Sequence, residues 1–227
     1  EFLVTKYAIA TALSLTLTDS KPIVAKDAKI LLNGLASSVQ GFKALANVGT
    51  EVRQIRDLYA KNATLLLDQD FTLDNFANAL ENTNYTIIHI ASHGQFDSNP
   101  QKTYLLTHDN KLTVNRLEQL VRLSEWRNEP VELLTLSACQ TAVGDDQAAL
   151  GLAGMLLKAG ARSSLATLWS IDDQASSLLT SEFYRQLQHP GTSKAKALQN
   201  AQKLLLAQSR FAHPAFWSAF LLIGNWL

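Results

Sequence analysis

Short, nearly uninterrupted apolar runs alternate with amphipathic runs along this chain. The runs are Leu65-Leu66-Leu67, Thr86 to Ala91, Val131 to Leu136, Ser164 to Trp169 and Ala219 to Ile223. A strand that is apolar at successive positions must be covered on both faces, which parallel strands joined by crossover helices achieve. The pattern therefore predicts an α/β fold: a three-layer sandwich with a mostly parallel central sheet flanked by helices. At 227 residues and 47% hydrophobic content the chain can bury one substantial core, and it reads as a single domain over 1–227.

The gaps between the runs carry helical spacing. Thr50 to Lys61 places Val52, Ile55, Leu58 and Tyr59 on one face. Thr72 is placed to cap a helix that turns Phe76 and Leu80 inward, with Asp74 in its first turn. Tyr104-Leu105-Leu106 and Leu112-Thr113-Val114, separated by His108-Asp109-Asn110-Lys111, predict a hairpin on the rim of the sheet, followed by a helix to about Arg127. Ala148 to Ala159, Gln174 to Gln188 and Ser193 to Gln208 complete the helices, with Gly160, Pro190 and Gly191 as terminators. Near the start, Lys29 to Leu32 predicts a strand. Tyr7 to Ala10 and Leu13 to Leu17 are further strand candidates, Asp19 to Asp27 is a loop, and Gln40 to Val48 reads as surface loop.

Lys+Arg and Asp+Glu are balanced at 20 each. Zero net charge provides no broad field for nucleic acid or an anionic membrane, so neither is expected as a direct partner. No run approaches the length of a membrane span, and no secretory leader pattern opens the sequence. One cysteine makes neither an internal disulfide nor a structural zinc site by itself. No metal or cofactor is expected, and the reducing cytoplasm is the expected compartment.

Two strands end in unusual residues. Ile87-Ile88-His89-Ile90-Ala91-Ser92 runs into His93-Gly94, and Leu133 to Ala138 runs into Cys139, the single cysteine. Sites in open parallel sheets form beyond the carboxyl ends of strands, so His93 and Cys139, 46 positions apart, are placed to meet there. A thiolate is a strong nucleophile toward a carbonyl. A neighbouring imidazole can hold the thiolate form and later protonate the leaving amine. Gly94 has no side chain, so its backbone N–H can approach an oxyanion, and with the N–H of Cys139 it would form an oxyanion hole. No side chain stands out to orient His93, a task a backbone carbonyl could perform. His89, inside its strand, is expected to be a core histidine.

Ala91-Ser92-His93-Gly94-Gln95-Phe96 and Ser137-Ala138-Cys139-Gln140-Thr141 resemble the two signature segments of CHAT domains. These are caspase-like domains often attached to tetratricopeptide repeats, related to caspases, separases, gingipains and clostripain. Gly151-Leu152-Ala153-Gly154, Ala159 to Ser163, Leu165 to Trp169, Asp172-Asp173, Phe183-Tyr184, Lys194 to Leu198 and His213-Pro214 to Trp226 extend the likeness. The resemblance implies a caspase-like fold and a cofactor-free endopeptidase with a His93–Cys139 dyad. The implied domain is N-terminally incomplete, because CHAT domains usually begin some tens of residues earlier. It also implies a protein substrate, and latency relieved by a repeat domain, an activating partner or chain cleavage. The loop Gln140 to Gln147 and the hairpin around His108 are the candidate mobile parts.

Leu168-Trp169-Ser170-Ile171-Asp172-Asp173 resembles the separase segment that supplies an acidic residue to the pocket for a basic substrate side chain. Asp173, with Asp172 as the alternate, would then pair with an arginine. Capping of the next helix is the competing role for both. Trp169 is read either as a wall of that pocket or as core, and Asp145-Asp146 as a solvated loop in preference to an acidic rim. A catalytically silent interaction scaffold is the main rival to a peptidase. Nucleotide binding is disfavoured, because Gly151-Leu152-Ala153-Gly154 matches neither phosphate-loop pattern.

Overall fold

The computed structural model describes residues 1–12, 23, 27–95, 97, 100–126, 129–140, 154, 157 and 159–227, with the side chains at 100, 124–126 and 138–140 excluded. The expected strand at Leu13 to Leu17, most of the loop Asp19 to Asp27, Asp145-Asp146, and most of the expected helix Ala148 to Ala159 lie outside the described residues.

Among the described residues, eight strands form one sheet. They are β1 (Ile30–Gly34), β2 (Ala63–Leu67), β3 (Ile87–Gln95), β4 (Tyr104–Leu106), β5 (Lys111–Thr113), β6 (Leu133–Gln140), β7 (Ser163–Thr167) and β8 (Phe220–Gly224). The main order is β2-β1-β3-β6-β7-β8, with β4 paired to β3 and β5 to β4. From β2 through β7 the pairs along this path are parallel, and β8 closes that edge antiparallel to β7. All five residues of β1 are buried, as a central strand covered on both faces requires.

Helices α1 (Val48–Tyr59), α4 (Asp173–Leu187) and α5 (Lys194–Leu206) cover one face, where Ile55, Leu179, Phe183 and Leu198 meet Ile30, Ile87, Leu133 and Leu165. Helices α2 (Leu73–Asn82) and α3 (Val114–Trp126) cover the other, where Phe76, Leu80, Leu117 and Leu120 meet Leu31, Ile88, Ile90 and Leu134. Three helices are closed at their start by side-chain caps. Thr72 accepts from Asn75 N, Asp172 from Ala175 N and Ser193 from Lys196 N.

Two glycines are required by geometry. At Gly34 a Cβ would crowd Leu67, Val48 and Val52 at 3.0–3.2 Å, so its absence lets α1 lie close on the sheet. Gly224 has φ +96°, and a Cβ there would run into the Arg162 carbonyl oxygen.

The N-terminal segment departs from expectation. Tyr7 to Ala10 is not a strand. The chain makes a turn at Leu3–Thr5 and pairs with the sheet through the Thr11–Ile223 bridge. Val4 is buried, its carbonyl taken by Gln199 Nε2, and Phe2 packs edge-on against Trp217. Tyr7 and Ile9 are 61% and 49% exposed, so their apolar alternation does not mark a ladder.

One packing feature carries a measurable liability. Lys194, the first residue of α5, is fully buried, and its Nζ has no hydrogen-bond partner among the described residues. Burial pulls its pKa down to about 8, offset partly by Glu132 and reinforced by Arg162. The unfolded chain binds this proton more tightly than the folded one, so stability rises with pH between about 8 and the ordinary lysine value. We expect Lys194→Met to raise stability at pH 7 by roughly 2–3 kcal/mol. In urea unfolding followed across pH 7 to 10.5, this advantage should shrink steadily with pH; a pH-independent difference would contradict the assignment.

Candidate active site

Strands β3 and β6 pair in parallel with Ile87 opposite Leu133 and continue in register until His93 stands opposite Cys139 and Gly94 opposite Gln140. Sequence reading places these residues just beyond the strand ends, whereas the strands run through them to Gln95 and Gln140. The reason is the hairpin. β4 pairs antiparallel with Gly94 and Gln95, which keeps the end of β3 extended. Strand alternation puts Thr135 and Ser137 on the face of His89 and His93.

That face is organised around His93, which is 3% exposed. Its Nε2 lies 2.7 Å from the carbonyl oxygen of Lys43. A carbonyl can only accept, so Nε2 carries the proton, and in the neutral imidazole Nδ1 holds the lone pair. Nδ1 is buried and has no hydrogen-bond partner among the described residues. The Phe42 ring lies over the imidazole, centroid to centroid 5.1 Å. The orienting group is thus a backbone carbonyl from the segment read as surface loop. Parts of that segment are not surface: Leu45 and Val48 are buried, and Val48 already belongs to α1.

The other expected residues fall around this centre. Gly94 is buried between Leu105 of β4 and Gln140 of β6. Ser137 Oγ and Ser176 Oγ are 2.9 Å apart, which brings the first turn of α4 against β6 two residues before Cys139. In that turn Asp172 is the exposed cap of α4. Asp173 Oδ2 accepts from both the backbone N and the side-chain Nδ2 of Asn47, each at 2.8 Å. Trp169 follows β7, half-buried, and donates through Nε1 to the Ala215 carbonyl.

His89 is a fully buried core residue. Its Nε2 lies 3.0 Å from Glu51 Oε1, although the ring N–H is not aimed along that line. Its Nδ1 is 3.4 Å from the Tyr184 hydroxyl, which donates to Thr135 Oγ1 at 2.8 Å. Burial pushes the Tyr184 phenol well above its ordinary pKa, so it remains a donor. This polar floor joins α1 and α4 to the strand that carries His93.

The fold is similar to that of gingipain R, an Arg-specific cysteine proteinase, at TM-score 0.56 and 12% identity over 93% of this chain and 50% of that one. The complex of Porphyromonas gingivalis RgpB pro- and mature domains gives TM-score 0.60 and 11% identity over 93% of this chain and 51% of that one. These likenesses establish a caspase-like α/β fold. The chain belongs to the CHAT domain family, which it matches over residues 1–225. It is also similar to human tetratricopeptide repeat protein 28, 33% identical over 98 residues, which are 42% of this chain and 4% of that protein. The chain therefore spans a small part of that relative and about half of the gingipain chains. No helix among the described residues is long and apolar enough to cross a membrane.

Removing one member of a buried polar pair leaves the other desolvated with its partner gone. Glu51→Ala should therefore lower stability by on the order of 2 kcal/mol. Urea unfolding measures this directly, and a change within about 0.5 kcal/mol, the usual range for surface substitutions, would show that the pair contributes little.

Proposed function

We propose that this domain is a cysteine endopeptidase acting on a specific protein substrate, with Cys139 as nucleophile and His93 as acid and base. The observation that carries the reading is the state of His93: opposite Cys139 in the ladder, Nε2–H held by the Lys43 carbonyl, Nδ1 without a partner among the described residues. In this mechanism His93 Nδ1 takes the proton of the Cys139 thiol, and the thiolate so formed adds to the scissile carbonyl. The oxyanion is met by the backbone N–H groups of Gly94 and Cys139. His93 gives its Nδ1 proton to the departing amine, leaving a thioester. Water, deprotonated by His93, then adds to the thioester and releases the acid.

Control is assigned to elements outside the dyad. Gly94 lies inside a ladder between β4 and β6, so activation is proposed to loosen the hairpin at that end of the sheet. The similarity to a tetratricopeptide repeat protein supports a repeat domain as the regulatory partner. We keep Asp173, Asp172 and Trp169 as candidates for recognising the residue before the cut bond. Gingipain R, with the same fold, is Arg-specific, which supports testing arginine first.

Cys139→Ala and His93→Ala should each abolish cleavage while leaving the thermal unfolding transition in place, since the dyad acts as a unit. The experiment is in-cell capture on Cys139→Ala followed by cleavage of the captured protein by the unaltered domain. Cleavage at the normal rate by purified Cys139→Ala would refute the assignment. Capture of a protein that the unaltered domain never cuts would favour the silent scaffold.

A peptide-library profile of the active enzyme addresses recognition. An acidic pocket predicts an arginine preference that Asp173→Asn or Asp172→Asn weakens by roughly thirtyfold or more. A preference for apolar residues, or an arginine preference unchanged in both variants, would remove the pocket.

A further inference from the structure

The segment from Ala36 to Asn47 joins β1 to α1 and carries the Lys43 carbonyl that holds His93. A carboxylate secures each of its ends. At the start, Asp68 Oδ1 accepts from the backbone N–H groups of Ala36 and Ser37, at 2.8 and 2.7 Å. Asp68 adopts φ +51°, a left-handed conformation that aspartate tolerates better than most residues but still at some strain. The two charge-assisted hydrogen bonds hold it there. At the far end, Asp173 Oδ2 receives Asn47 N and Nδ2. Asn47 is the N-cap of α1 and Asp173 lies in the first turn of α4, so one carboxylate sits where the positive ends of two helices meet.

Between the ends the segment is folded on itself and on the hairpin. Leu45 N bonds to Ala36 O, and Gln40 Nε2 donates to Thr107 O at 3.0 Å. Leu45 packs in a small cluster with Val48, Val52 and Ala91. Lys43 itself is exposed, and no described hydrogen bond of its own side chain fixes it. The position of its carbonyl is inherited from the two clamped ends.

We propose that Asp68 and Asp173 are positioning residues for His93. They hold the 36–47 segment so that the Lys43 carbonyl meets Nε2, which fixes the imidazole in the Nε2–H form with Nδ1 as base. This rests on the reading of His93 and Cys139 as the catalytic pair, and it gives Asp173 a task separate from any contact with substrate.

Two readouts test it on the full chain. Long-range proton–nitrogen correlation spectra of histidine-labelled protein report which ring nitrogen of His93 carries the proton, without needing activity. The rate of Cys139 alkylation by iodoacetamide at pH 7 reports how well His93 supports the thiolate. Asp173→Ala and Asp68→Ala should each turn the single Nε2–H pattern of His93 into an averaged one and slow alkylation about tenfold. Asp173→Asn keeps an oxygen for Asn47 and should stay within about threefold of the unaltered protein. Thr72→Ala, which removes a helix cap in the opposite layer, should leave both readouts unchanged. If Asp173→Ala does not fold, Asn47→Asp sets a second carboxylate against Asp173 and should move both readouts in the same direction. Folded Asp68→Ala and Asp173→Ala proteins that keep the Nε2–H pattern and the normal alkylation rate would overturn the proposal. An alkylation rate unaffected by His93→Ala would instead sink the catalytic-pair reading, and the tautomer spectra would then decide the positioning claim alone.

Discussion

The parallel pairing of β3 with β6 is the constraint on which the rest of this molecule depends. Its register runs unbroken from Ile87 and Leu133 to Gly94 and Gln140, so one arrangement fixes both the centre of the core and the meeting of His93 with Cys139. A shift by one residue would exchange the faces of every side chain on one strand, moving His89 and His93 away from α1 and α4 and into the layer of α2 and α3. Apolar residues at the N-terminal end of the ladder make that shift prohibitive. Ile87 and Leu133 belong to one hydrophobic cluster, and Ile88, Ile90, Leu134 and Leu136 to the other. Packing at one end of the strands thus specifies the geometry at the other.

A parallel ladder aligns positions but does not orient an imidazole. That second task falls to connections on the α1/α4 face. Glu51 and Tyr184 flank His89 beneath the site, Ser176 meets Ser137 beside it, and Asp173 binds Asn47 at its edge. Each contact joins a helix or loop to β3 or β6 or to the segment that touches His93. Buried polar contacts of this kind add less to stability than apolar packing of equal volume would, and what they can supply is a unique geometry.

The fold was largely legible because its strands carry side-chain signals. Runs such as Ile87 to Ala91 and Val131 to Leu136 are apolar at every position or nearly so, and Thr72 stands where a cap should stand. The family signature around His93 and Cys139 was legible for the same reason, since it is carried by residue types. That a backbone carbonyl could orient His93 was legible, but not which one, since any residue at position 43 would present the same oxygen. Asp68 was also silent, since its partners at Ala36 and Ser37 lie 32 and 31 positions away and are main-chain groups. Tyr7 to Ala10 misled in the opposite sense. Tyr7 and Ile9 are exposed while Ala10 packs against the core, and an alternating pattern does not tell such an arm from a strand.

Asp172 and Asp173 show why adjacent acidic residues resist assignment from sequence. Both precede a helix, where charge near the positive end is favourable, and both stand at the rim of a site, where charge could meet a substrate. The structure divides the pair. Asp172 closes its own helix through Ala175 N, whereas Asp173 reaches out of α4 to the N-cap of α1. Only Asp173 therefore connects the element beside Cys139 to the loop that holds His93. A carboxylate in that place can serve chemistry without touching substrate, because the distance between a clamped loop end and Lys43 is four residues of folded backbone. On the proposed peptidase reading, a shift of α4 on substrate binding would pass through the Asp173–Asn47 bonds to the imidazole, and recognition at the rim would be coupled to the state of His93.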